Sequence, residues 1–176
     1  MTETTAPRQE ERGTAPLSIA TLAEVPAEAA RRLPTGMSEL DTLLGGGIVP
    51  GSAVLIGGEP GIGKSTLLLE TAAAVAAAGK QVLYGSAEES LSQIKLRAAR
   101  LGIRQENIFL VAGGVLEHLQ EAFRQLQPDL LIVDSIQTVH TTSLPGAPGT
   151  LSQVRECAAV LTDAVRSGYY WLAIIG

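Results

Sequence analysis

Only one cysteine, Cys157, occurs in the 176 residues. A lone cysteine excludes an intrachain disulfide and a cysteine-rich zinc site, and it reads as a small buried residue on a helix face. Aromatic residues make up 3 % of the chain against 45 % hydrophobic residues. A core here must therefore be aliphatic, built from Leu, Ile, Val and Ala. Basic residues are not in excess either. The net charge is −5, which is not the composition of a typical nucleic-acid-binding protein. Contact with DNA would need a local patch, or a ring that gathers charge from several subunits. No apolar run approaches the roughly 18 residues needed to span a membrane. Met1 to Gly13 is polar and charged, with no apolar signal core. These absences predict a cytoplasmic protein with no membrane partner. His118 and His140 lack the spacing of metal ligands.

What is present is organised. Residues 1–30 are rich in Thr, Ala, Pro and Glu, with five acids against two bases. Residues 1–16 read as disordered and 17–34 as an extended linker that lies on the domain. From Pro34 onward the signals become regular. Met37 to Leu44 reads as a short helix stopped by Gly45-Gly46-Gly47. Apolar runs at 53–56, 82–84, 108–111, 130–133 and 169–175 read as strands. Helical patterns lie between them at 64–78, 90–101, 115–126 and 151–166. Gly79, Gly102 and Gly168 follow three of these helices, where a left-handed cap is expected, and Pro128 follows the fourth. Alternating strands and helices predict an α/β fold, a mostly parallel sheet with helices on both faces.

Residues 58–65 read Gly-Glu-Pro-Gly-Ile-Gly-Lys-Ser. They fit G-x-x-x-x-G-K-[ST], the phosphate-binding P-loop. The run Ala53–Ile56 before it reads as a buried strand, and Lys64 to Ala78 after it reads as a helix. A loop in that setting turns backbone N–H groups toward phosphate oxygens, and the helix N-terminus adds partial positive charge. The expected nucleotide-binding residues are Gly58, Glu59, Pro60, Gly61, Ile62, Gly63, Lys64, Ser65 and Thr66. Lys64 reaches the β- and γ-phosphates of ATP, and Ser65 supplies an oxygen to Mg²⁺.

Two further stretches carry chemistry. Leu130–Val133 is an apolar run ending in Asp134, the Walker B pattern, 70 residues after Lys64. An acid there holds Mg²⁺ close to Ser65. After the strand at 82–84 comes Ser86-Ala87-Glu88-Glu89-Ser90. One of the two glutamates is expected to face the γ-phosphate and polarise the attacking water, while Ser86 and Glu89 are spaced as a capping box. Spacing alone does not choose between the glutamates. Thr138 to Thr150 has neither a helical nor a strand period, and loops of this length in compact domains are often functional. It contains no Lys or Arg. Lys95, Arg97 and Arg100 on helix 90–101 read as a solvated face.

Together these stretches resemble the bacterial RadA/Sms family of DNA repair ATPases, of the RecA-like P-loop class. The resemblance is carried by Leu33–Gly36, Glu39–Asp41, Leu44–Gly47, the P-loop with Ile56-Gly57 before it, Glu88–Ser90, Gln93–Arg97, Asp134–Thr138 and Ser152–Cys157. It covers about residues 31–166. It implies ATP hydrolysis with Glu88 as the catalytic glutamate, binding of single-stranded or branched DNA, hexameric rings and branch migration during recombination. The loop 138–150 matches the position that faces DNA in RecA-like assemblies. In such sheets the strand after Walker B lies between the Walker B and P-loop strands, so 169–175 is expected to be central. The family normally begins with a four-cysteine zinc ribbon. It continues after the last strand with His-Val-Thr-Lys, a Lys-Asn-Arg-Phe-Gly motif and a protease-like domain. This sequence contains none of these, so the resemblance implies an ATPase core at 31–176, truncated at its C-terminus. A nucleotide-binding module without effective turnover, and a regulatory RecA-like ATPase acting on protein partners, are the alternatives.

Overall fold

The computed structural model describes residues 19–21, 23, 24, 32–168 and 170–175. The segment expected to be disordered, 1–16, and most of the expected linker 17–34 lie outside the described residues. The elements run α1 (Ser38–Leu43), β1 (Ala53–Ile56), α2 (Lys64–Ala77), β2 (Val82–Ser86), α3 (Leu91–Arg100), β3 (Ile108–Ala112), α4 (Leu116–Leu126), β4 (Leu130–Asp134), α5 (Leu151–Gly168) and β5 (Trp171–Ile175). The five strands form one sheet in the order β1-β5-β4-β2-β3. Every neighbouring pair is parallel.

The strand sequences account for the burial of the sheet on both faces. β4 is Leu-Leu-Ile-Val-Asp and β2 is Val-Leu-Tyr-Gly-Ser, and every residue of both is buried. Successive side chains in a strand point to opposite faces. Val82, Tyr84, Leu130 and Ile132 accordingly join one core with Leu68, Leu69, Ala72 and Val75 of α2 and Ile94 of α3. Leu83, Leu131 and Val133 join a second core with Leu119 and Phe123 of α4 and Cys157, Leu161 and Val165 of α5. Each fully buried Leu or Ile favours the folded state by about 1.5–3 kcal/mol. Near-continuous apolar strands are what a parallel sheet covered on both sides requires. Gly85 leaves the room that one α4 side chain needs, since a Cβ there would lie 2.8 Å from Leu119 Cδ1.

β5 lies between β1 and β4, with Ala173 in register with Val54 on one side and Ile132 on the other. The expected central position of this strand is thus observed. The P-loop strand differs from expectation. β1 is not buried: Leu55 is 68 % exposed, and burial alternates along the strand. Among the described residues β1 has a hydrogen-bonded neighbour on one side only.

Gly79 and Gly102 adopt the left-handed conformation expected after α2 and α3. Gly168 does not cap α5 from outside but is its last residue. α4 is capped at its C-terminus by Gln127, a non-glycine residue at φ 47°, immediately before Pro128.

Candidate nucleotide site

The loop joining β1 to α2 is shaped by glycine. Gly61 and Gly63 have φ of 81° and 104°, and a Cβ on either would meet nothing within 4 Å. The left-handed turn at Gly63 starts α2, whose first turn carries no acidic residue and whose N-cap makes no side-chain hydrogen bond. The first N–H groups of a helix lack intrahelical partners, and here no side chain caps them, so partial positive charge faces the cavity. Lys64 Nζ donates to the carbonyl oxygens of Gly58 at 2.5 Å and Glu59 at 3.1 Å.

Beside this loop, at the carboxyl ends of β2 and β4, lies an open cavity of about 360 Å³. It brings together Pro60, Gly61, Gly63, Lys64, Ser65 and Thr66 from the loop and helix with Glu88 and Asp134 from the two strand ends. Gly58, Glu59 and Ile62 do not line it. The first two supply the carbonyls that hold Lys64, and Ile62 is 72 % exposed. Arg97, Ser135 and Gln137 complete the wall.

The two glutamates have separate surroundings. Glu88 lines the cavity, and its Oε1 accepts a hydrogen bond from Ser135 Oγ at 2.6 Å. Glu89 turns back and pairs with Arg97. The expected Ser86–Glu89 capping box is not formed. β2 continues through Ser86, which is in register with Asp134 and Ala112. α3 begins later, capped by Ser90 in a reciprocal box with Gln93. Among the described residues Ser86 Oγ accepts only the Glu89 N–H, at 3.2 Å.

The expected solvated face of α3 is corrected for one residue. Lys95 and Arg100 are exposed, but the Arg97 side chain is only 18 % exposed. It lies on the inward stripe with Ile94, Ala98 and Leu101, and its Nη1 is 4.0 Å from Asp134 Oδ2. A charge on the buried stripe of an amphipathic helix was the available signal. Asp134 Oδ2 also accepts the Tyr84 hydroxyl at 2.6 Å. Burial first, and then the adjacent Asp134 charge, push the Tyr84 phenol well above its ordinary range, so it remains a proton donor. Tyr84, Ser135 and Gln137 were not legible as site residues from spacing.

The loop after β4 is irregular, as expected, and is tied at its base. Thr138 Oγ1 donates to the Ser135 carbonyl at 2.9 Å. Gln153 is fully buried, accepts the Thr141 N–H at 2.8 Å and donates to the Leu144 carbonyl at 2.7 Å. Glu117, in the first turn of α4, accepts the Thr141 and Thr142 hydroxyls and the Thr142 N–H. These bonds, that from Thr141 Oγ1 above all, outweigh burial and hold Glu117 down at about 2. Cys157 is buried on α5, as expected. No helix among the described residues is long and apolar enough to cross a membrane.

Comparison with known proteins agrees with this arrangement. Residues 20–164 match the AAA domain family. DNA repair protein RadA of Listeria monocytogenes is 44 % identical over 161 residues, covering 92 % of this chain and 35 % of that protein. DNA repair protein RadA of Mycobacterium tuberculosis is 45 % identical over 168 residues, covering 94 % and 35 %. DNA repair protein RadA of Streptococcus pneumoniae is 46 % identical over 155 residues, covering 88 % and 37 %. The chain thus spans about a third of the length of these curated relatives. The match over most of its residues, together with the P-loop geometry and the parallel sheet, places the chain in the AAA domain family as a homologue of the RadA proteins.

Proposed function

We propose that the chain is an ATP-hydrolysing core, acting in DNA repair and recombination. The observation that carries this reading is the convergence of Lys64, Ser65, Glu88 and Asp134 on one cavity. The open cradle at Gly61 and Gly63 and the uncapped α2 N-terminus suit phosphate oxygens. The donor set also suits a hard cation, because Asp134 and Ser65 offer oxygen ligands and Asp134 Oδ1 has no hydrogen-bond partner among the described residues. Mg²⁺, when bound with ATP, neutralises charge on the β- and γ-phosphates.

The chain's own residues supply the rest. Lys64 leaves the Gly58 and Glu59 carbonyls and places its ammonium on the β- and γ-phosphates. Glu88 orients the attacking water and accepts its proton. Ser65 and Asp134 hold the metal. Pro60, Gly61, Gly63 and Thr66 surround the phosphates. For the whole protein the proposal extends to binding of single-stranded or branched DNA by a hexameric ring, with ATP turnover driving branch migration; the similarity to the RadA proteins supports this reading. Loop 138–150 is the segment assigned to DNA.

One contact favours a second reading, a nucleotide-binding module without effective turnover: Lys64 is engaged by the Gly58 and Glu59 carbonyls of its own loop. Steady-state ATP hydrolysis by the purified chain, with and without a single-stranded oligonucleotide, separates the two. The first reading predicts Mg²⁺-dependent turnover that Glu88→Gln abolishes while ATP binding survives. Binding without turnover under every condition would favour the second. No ATP binding at all would defeat both.

A further inference from the structure

We propose that Tyr84 is a positioning residue for Asp134: it holds one carboxylate oxygen, with Arg97 as a second support, and leaves the other for the metal of a bound nucleotide. The inference rests on the nucleotide-binding reading above and goes beyond it, to how the strand-end acid is fixed.

Tyr84 and Ile132 are in register on neighbouring strands, and both belong to the core under α2. Asp134 lies two residues beyond Ile132 and so on the same face. The Tyr84 side chain bridges that offset, and its hydroxyl ends 2.6 Å from Asp134 Oδ2. The residue is fully buried in an aliphatic layer. A leucine would serve that layer without bringing a hydroxyl that needs a partner, and burying an unpaired hydroxyl is costly. Asp134 Oδ2 is the partner, and this bond fixes the carboxylate from the core side.

Arg97 acts from the other direction. One guanidinium nitrogen pairs with Glu89. A second, Nη1, is buried without a hydrogen-bond partner and lies 4.0 Å from the same Oδ2. Oδ2 is thus both bonded and faced by a cation. Oδ1 has no hydrogen-bond partner among the described residues, in a carboxylate that lines the cavity. A carboxylate held this way presents one defined oxygen instead of two interchangeable ones. Groups that orient a metal-binding side chain influence metal affinity by roughly 10–100-fold.

The test is titration of the purified chain with an N-methylanthraniloyl derivative of ATP, read by fluorescence in EDTA and across a series of MgCl₂ concentrations. Tyr84→Phe keeps the ring and removes only the hydroxyl. The expected result is an unchanged affinity in EDTA, with about a tenfold rise in the Mg²⁺ concentration giving half the metal-dependent gain. An unchanged Mg²⁺ midpoint, or an equal loss in EDTA and in Mg²⁺, would overturn the proposal. The Asp134→Asn background, which removes the carboxylate that Tyr84 holds, gives a second test. Tyr or Phe at position 84 should then give the same Mg²⁺ dependence, and a further loss from Phe would show that Tyr84 does not act through Asp134. If the wild-type chain bound no nucleotide even with Mg²⁺, the proposed function would fall and this inference with it.

Discussion

Ser135 donates its hydroxyl to Glu88 Oε1 at 2.6 Å, so the residue after the β4 aspartate holds the carboxylate at the end of the neighbouring strand. The same serine accepts a hydrogen bond at its carbonyl from Thr138, where the long loop begins. One residue therefore touches the candidate base, the candidate metal ligand through the chain, and the stem of the loop.

Ser135→Ala should leave nucleotide affinity near wild type, because Ser135 is assigned no phosphate. It should lower ATP turnover about tenfold, the scale of one hydrogen bond to a charged group. Single-turnover hydrolysis with saturating ATP gives the rate, and equilibrium titration gives the affinity. An unchanged rate would mean that Ser135 does not position Glu88.

The two glutamates should separate by phenotype. Glu88 is exposed in the cavity, so Glu88→Gln should keep the melting temperature while removing turnover. Glu89→Gln strips Arg97 of the nearer of its two carboxylate partners. It should lower stability by about 1–3 kcal/mol and cost less turnover than Glu88→Gln. Denaturant unfolding and initial-rate assays on both variants check this, and the reverse ranking of rates would exchange their roles.

The loop should respond to acid through Glu117. Its carboxyl is held down at about 2 by bonds from Thr141 and Thr142. A lowered carboxyl favours the folded form fully above its ordinary range, and that contribution fades as pH falls through about 4.5 toward about 2. The amide of Thr142, followed by NMR, should lose its folded-loop shift across that window. In Glu117→Gln the midpoint should move or disappear. Superimposable titrations of the two proteins would remove Glu117 from the account of the loop.

Because Ala173 pairs with strands on both sides, Ala173→Pro should break ladder bonds in the middle of the sheet. Loss of cooperative unfolding and of ATP binding together is expected, since β5 joins the P-loop strand to the strand bearing Asp134. Calorimetry showing an unaltered cooperative transition would make β5 peripheral.

Much of this arrangement is local and therefore legible. Apolar runs of four or five residues separated by helical patterns give the α/β alternation, and Gly61, Gly63 and Lys64 mark the phosphate loop by spacing. Other features depend on contacts between distant segments. Arg97 looks like one of three surface cations until α3 is laid on the sheet, where the Ile94 stripe carries it inward toward Asp134. Ser86 and Glu89 have the spacing of a capping box, but the pairing of β2 with both β4 and β3 keeps Ser86 in the strand and leaves the cap to Ser90 with Gln93. The exposure of Leu55 in β1 depends on what covers that face of the sheet, and four apolar residues in a row do not encode that.

The most direct test of nucleotide binding at this cavity is isothermal titration of the chain with ATP and Mg²⁺, compared with Lys64→Ala. Lys64 is the one cation on the phosphate loop. Its removal takes away charge-assisted bonds worth about 1.5–3 kcal/mol, so affinity should fall by roughly 10–100-fold with the fold intact. Equal affinities for the two proteins would place the nucleotide elsewhere and contradict the assignment.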